Sequence, residues 1–217
     1  MRRSILITLS TLGVLISLLG STGLFAALVD TADTGSSFVE SKPIAGSADL
    51  KLAQASGSSC GTFDDDLATG LFSATNLEPN GGGPYNVLCV KNEGSQTVDL
   101  TVSVFDLVDS ETGCTGDEQD YGDAPCGTQG ELSGVLIVRI FPLDCATNDS
   151  IAGTITTSLA TMVGTPADLL DLTPGQITCY GFIPALPDYP VTPEVQRAQS
   201  DRSTWRFRFT GTAPAAP

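Results

Sequence analysis

Trp205, Phe207 and Phe209 alternate with Arg206, Arg208 and Thr210. A period of two sends one set of side chains into a core and the other into water, the pattern of a half-buried β-strand. The same period recurs at Val98, Leu100, Val102 and Val104, and in Ser47–Ala53 at Leu50 and Leu52. Asn86–Asn92 and Gln176–Ile183 also read as strands, and Leu132–Phe141 is a β-rich run dense in Val and Ile. Pro79-Asn80-Gly81-Gly82-Gly83-Pro84, Asn92-Glu93-Gly94-Ser95 and Pro174-Gly175 supply turns between them. The 217 residues suffice for one domain with a real core. Separate alternating runs broken by Gly/Pro turns predict an all-β sandwich of antiparallel sheets with short helical insertions. Two stretches read as helical. In 151–172, Ile151, Ile155, Leu159 and Met162 fall at helical spacing, against the opposing pull of Gly153 and several threonines. Pro193–Ser200 has Thr192 as an N-cap and Pro193 at its first position.

The N-terminus has the layout of a signal peptide. Arg2 and Arg3 precede 26 uncharged residues, Ser4 to Val29, and Gly20-Ser21-Thr22-Gly23 breaks the apolar run. Cleavage is expected between Ala26 and Ala27, with Leu24 three residues upstream of the bond; an uncleaved membrane anchor is the alternative. Removing residues 1–26 deletes two arginines and no acids, taking the formal net charge from −15 to −17.

Six cysteines remain: Cys60, Cys89, Cys114, Cys126, Cys145 and Cys179. None forms a C-x-x-C pair, so neither thioredoxin chemistry nor a zinc ribbon is indicated. An even number in an exported chain reads as three disulfides. Cys114 and Cys126 bracket a polar loop that a disulfide could close. Cys89 and Cys179 lie in strand-like runs, so a cross-strand link between them is expected, leaving Cys60 for Cys145.

Histidine is absent, which removes the Ser-His-Asp triad, the Cys-His dyad and the His-ligated zinc site. The acidic balance disfavours nucleic acid and anionic membrane surfaces. Gly57-Ser58-Ser59-Cys60-Gly61 matches a nucleophile elbow in letters only; it reads better as a Ser-rich turn holding a disulfide cysteine. Between Lys91 and Arg139 there are ten acids and no base. Asp64-Asp65-Asp66 and the group Asp117, Glu118, Asp120 and Asp123 carry clustered carboxylates of the kind calcium takes, but without EF-hand spacing. A solvated acidic surface is the preferred reading, with Asp117, Asp120 and Asp123 as the calcium candidates. Arg197, Arg202, Arg206 and Arg208 concentrate positive charge near the C-terminus, as a subunit contact or as a local balance.

Several segments, in order, resemble the TasA/camelysin family of exported proteins. They are Gly23–Thr34 (GLFAALVDTADT) with Ser37-Phe38 and Gly46–Leu52 (GSADLKL), Asn86–Ser95 (NVLCVKNEGS), Gly130–Val138 (GELSGVLIV), Leu172–Gln176 (LTPGQ) with Leu186-Pro187, and Ala198–Ser203 (AQSDRS). The resemblance implies a jelly-roll domain and a leader cut by a SipW-type signal peptidase. It also implies a secreted structural role in matrix fibres or bundling pili, built head to tail by strand donation. On this reading the chain divides into a leader (1–26), a donor segment (27–46) anchored by Leu28, Val29 and Phe38, a sandwich (47–212) and a flexible tail (213–217). Its expected partners are copies of itself, the signal peptidase and other matrix proteins. No enzymatic activity and no cofactor are expected. Two alternatives stand beside it. One is a camelysin-like metalloendopeptidase, which would need an all-carboxylate metal site. The other is a monomeric cell-surface binding module.

Overall fold

The computed structural model describes residues 29–33 (backbone only), 48–67, 70–71, 73, 77–79, 82–123, 127, 130–187 and 192–213. The strands are β1 (Val29–Asp33), β2 (Leu50–Ser56), β3 (Ser59–Cys60), β4 (Asn86–Asn92), β5 (Asp99–Glu111), β6 (Ile137–Leu143), β7 (Ile155–Ser158), β8 (Ala167–Asp168), β9 (Ile177–Ala185) and β10 (Asp201–Thr212). The helices are single turns or little more: α1 (Gly116–Asp120), α2 (Leu132–Val135), α3 (Thr161–Gly164) and α4 (Pro193–Arg197).

The strands form two antiparallel sheets, ordered β1-β10-β5-β8 and β3-β2-β4-β9-β6-β7. Setting aside β2 and β3, the chain crosses between the sheets at nearly every connection. The four-strand rows 1-10-5-8 and 4-9-6-7 are the strand order of a jelly roll. The β2–β3 hairpin extends the larger sheet beyond β4.

Alternation explains the core. Leu50, Leu52, Leu88, Val90, Val138, Ile140, Tyr180 and Phe182 line the inner face of the larger sheet, and Leu100, Val102, Val104, Phe207 and Phe209 that of the smaller, all buried. The layers interlock through Phe182, whose ring lies 5.3 Å from Phe207 and edge-on to Phe209 at 6.2 Å. The sheets also meet where Gly211 backs onto Leu50: an added Cβ would lie 3.1 Å from the leucine side chain.

Three local features differ from the sequence reading or refine it. The segment 151–172 is not a helix but β7, α3 and β8 in succession. Leu159 and Met162 are buried, while Ile151 is 53% exposed. The β-branched run Thr154–Thr157 suits a strand pairing with β6 better than a helix interior. The Leu132–Phe141 run opens with α2 before it becomes β6. Finally, Ala213 is buried, so the packed domain runs one residue further than expected. Thr192 does cap α4, its Oγ1 accepting from the Val195 N–H at 3.5 Å.

Candidate functional site

Three features of the fold bear on function: the edge formed by β1 and β10, the carboxylates around the start of β10, and the cysteines on the outer face of the larger sheet.

β1 is the outermost strand of the smaller sheet. It pairs antiparallel with the end of β10, Val29 opposite Thr212 through Asp33 opposite Arg208. Residues 34–47 separate it from the rest of the domain. On its other side β10 pairs with β5 along nearly its whole length. That second ladder carries a bulge, where Asp106 takes φ +50° and two residues of β5 oppose Trp205. β1 therefore covers only the last part of β10. Alongside the earlier part runs a groove of about 1060 Å³, lined among others by Leu71, Leu77, Leu132, Leu186 and Trp205. Of the expected donor anchors, Val29 lies in β1; Leu28 and Phe38 fall outside the described residues, as do Ala26 and Ala27 at the expected cleavage bond.

At the start of β10, acidic side chains hold loops to the sandwich. Glu118, on α1, is fully buried. Its carboxylate accepts from the Ser200 N–H at 2.6 Å and the Ser200 hydroxyl at 2.7 Å, and also from the Thr115 N–H. Burial alone would raise its pKa, but these bonds together outweigh that and hold it below the ordinary value. Asp109 of β5 accepts from the hydroxyls of Ser133 and Ser203, joining α2 to β10. Asp201 accepts from the Glu131 N–H. Burial, with the charges of Glu111, Glu131 and Glu118, raises its pKa to about 7.

Among the calcium candidates, Asp120 is exposed and Asp123 half-buried, while the side chain of Asp117 is outside the described residues. Among the described residues no three carboxylates lie close enough together to share an ion. Glu118, the buried acid of that loop, uses both oxygens on Ser200 and Thr115.

The cysteines correct the expected pairing. Cys60 is bonded to Cys89 and Cys145 to Cys179, not Cys89 to Cys179 and Cys60 to Cys145. Cys89 and Cys179 do face each other across β4 and β9, with sulfurs 3.2 Å apart. Both stand on the outer face of the sheet, and each reaches to a loop lying over it. Cys60 comes down from the β2–β3 hairpin, whose turn is made by Gly57 at φ +63°. Cys145 comes from the turn after β6, where Asp144 accepts from the N–H groups of Ala146 and Thr147 at 2.8 and 3.0 Å. The Ser-rich turn is thus part of a hairpin bearing a disulfide, as its composition suggests. Cys114 is disulfide-bonded; Cys126 lies outside the described residues.

Nothing in the spacing of the cysteines announced that four of them converge. Cys60, Cys89, Cys145 and Cys179 come one each from separate elements, so no short ligand pair marks them in the sequence. The available signal was that Cys89 and Cys179 each lie within a strand-like run. Among the described residues no helix is long and apolar enough to cross a membrane. No protein family matches the sequence, and no curated protein matches it. The fold and its edge define a disulfide-bonded all-β jelly-roll domain.

Proposed function

We propose that the chain is a secreted structural subunit that assembles head to tail, the N-terminal strand of one copy replacing β1 on the β10 edge of the next. The observation that carries this reading is the place of β1. It is an edge strand, the first of the described strands, held in register to a single neighbour and followed by residues 34–47 before the rest of the domain. A strand removed from that position exposes the N–H and C=O groups of β10, and an incoming strand restores the same ladder. Exchange between copies does not close a ring, so it propagates as a filament.

The groove beside β10 supports the same reading. The β1 ladder ends at Asp33 opposite Arg208, and the part of β10 beyond that ladder borders the groove lined by Trp205 and the leucines. The segment resemblances to the TasA/camelysin family support the same reading, as does the leader expected from the sequence, which would direct the chain to the extracellular matrix or the cell surface. A SipW-type peptidase would release the donor segment.

Deletion of Ala27–Thr34 tests the proposal. The truncated mature protein should remain soluble and folded, and negative-stain electron microscopy should show no filaments where the parent forms them. Filaments of normal length from the truncated chain would refute strand donation. A parent chain that stays monomeric under all assembly conditions would favour a binding module.

A further inference from the structure

We propose that Cys60, Cys89, Cys145 and Cys179, in their reduced form, make a tetrathiolate site for a soft divalent cation of the zinc type, so that four sulfurs have two alternative closed states, two disulfides or one metal ion.

Geometry is the first argument. All four sulfurs lie within 4.8 Å of one another. A tetrahedral zinc site has Zn–S bonds of about 2.3 Å, which set its sulfurs about 3.8 Å apart. Cys60 and Cys179 already stand at 3.8 Å, and Cys89 and Cys179 at 3.2 Å. Once the two S–S bonds are reduced, each bonded pair has to separate to about 3.8 Å, a movement of roughly 1 Å per sulfur that side-chain rotation supplies. Two ligands would come from the central strands β4 and β9, one from the short hairpin strand β3 and one from the turn after β6. The central strands give the site its shape, and the hairpin and the turn give it the freedom to close around an ion.

The surroundings fit a structural metal. Ala53, Cys89, Cys179 and Leu143 form one row across β2, β4, β9 and β6, through the registers Ala53–Cys89, Cys89–Cys179 and Cys179–Leu143. Cys89 and Cys179 are buried, and Phe63 and Phe141 pack over the row. Such a site is closed, with no position left for water, as structural zinc sites are. Four thiolates around one divalent ion leave two negative charges. Lys51 and Lys91 stand two residues along from Ala53 and Cys89 on the same strands, hence on the same face and about 7 Å away. Lys91 also lies over the Phe63 ring, 5.6 Å from its centre. Both lysines already pair with carboxylates, Lys51 with Asp49 and Asp65 and Lys91 with Glu93, so they offset only part of the charge of a loaded site.

The chemistry balances without an added oxidant. The reduced chain offers four thiols; one divalent cation binds as four protons leave, and no electron moves. Conversion of the loaded site to two disulfides releases the ion and passes four electrons to an oxidant such as dioxygen. The redox state of the compartment then selects which closed state the chain occupies.

The test uses the full mature chain carrying Cys114→Ser and Cys126→Ser, so that only these four thiols remain. The protein is reduced with a phosphine under anaerobic conditions and titrated with Co²⁺ as the optical probe, then with Zn²⁺. The expected result is one Co²⁺ per chain, with thiolate-to-cobalt charge transfer and tetrahedral d–d bands. One Zn²⁺ should displace it and protect all four thiols from a thiol-modifying reagent. Cys179→Ser should weaken Co²⁺ binding by more than the roughly ten- to hundredfold lost with an outer-shell partner, and shift the bands toward a three-sulfur set. Cys60→Ala with Cys145→Ala, which leaves β4 and β9 unaltered, should abolish the tetrahedral spectrum; circular dichroism of each variant reports its fold. Absence of charge transfer in the folded reduced chain would overturn the proposal. So would equal Co²⁺ affinity in the urea-unfolded chain, or a reduced chain that fails to fold both with and without Zn²⁺.

Discussion

Asp201, the first residue of β10, accepts a hydrogen bond from the Glu131 N–H while the carboxylates of Glu111, Glu118 and Glu131 itself crowd the same corner. Partial burial and this crowding lift its pKa from 3.8 to about 7. The folded chain therefore holds a proton that the unfolded chain gives up between about pH 4 and pH 7. Stability contributed by this group is present below that window and is lost as the pH rises through it. Asp201→Asn keeps an oxygen to accept from Glu131 and removes the charge. Thermal unfolding measured from pH 4 to 8 should show a flatter profile for the variant, which should be more stable than the parent at pH 8. A parent and variant with parallel profiles would contradict this.

Glu118 has the opposite sign. Its pKa is lowered, so its contribution is present at neutral pH and is lost as the pH falls through the carboxylate range. Glu118→Ala leaves the Ser200 and Thr115 N–H groups without their acceptor in a buried corner. The expected cost is about 1–3 kcal/mol at pH 7, read from chemical denaturation. Glu118→Gln should cost less, because its amide oxygen still accepts.

Phe182 links the two sheets, its ring lying 5.3 Å from that of Phe207 and 6.2 Å from that of Phe209. Phe182→Ala should destabilise the domain by about 3–5 kcal/mol. The denaturation midpoint should fall with an unchanged slope, because the loss is of packing and not of cooperativity.

Non-reducing peptide mapping of the oxidised protein should recover Cys60 linked to Cys89 and Cys145 linked to Cys179. The bridges span 29 and 34 residues, so chain entropy assigns each about 3.5–4 kcal/mol. Cys60→Ala with Cys89→Ala should lower stability by up to that amount. The cross-strand set, Cys89 to Cys179, would show that the loops do not lie over the sheet as they do here.

Strands were legible because their signal is local. Trp205, Phe207 and Phe209 declare their face by alternation, and β4 occupies Asn86–Asn92, the stretch its composition marks. The β7–β8 region was misread because Ile155, Leu159 and Met162 are spaced for a helix while their burial comes from a strand, a turn and a helical turn in sequence. Periodicity cannot separate these when the segment changes conformation within one period. Both expected pairings among Cys60, Cys89, Cys145 and Cys179 were wrong. Cys89 and Cys179 do face each other across β4 and β9, but their partners depend on how the β2–β3 hairpin and the turn after β6 fold back over the outer face. Nothing in the strand pattern encodes that return. The corner around Asp201 was invisible for the same reason: Glu111, Glu118, Glu131 and Asp201 come from four separate elements.

Thr31 of β1 lies directly opposite Thr210 of β10. Facing positions on neighbouring strands fall within the Cα separation that a disulfide spans, so Thr31→Cys with Thr210→Cys should lock β1 onto its own sheet. If assembly proceeds by strand exchange, the oxidised double variant stays monomeric, while the same protein with that bond reduced grows filaments like the parent. The single variants give a sharper reading. A mixture of Thr31→Cys chains and Thr210→Cys chains contains no intramolecular pair, so a disulfide-linked dimer can form only when β1 of one copy sits on β10 of another. Oxidising filaments grown from the mixture should produce that dimer on a non-reducing gel, and oxidising either variant alone should not. Filaments that form with no such dimer would show that copies associate while each keeps its own β1, which would rule out strand donation and leave assembly to surface contacts.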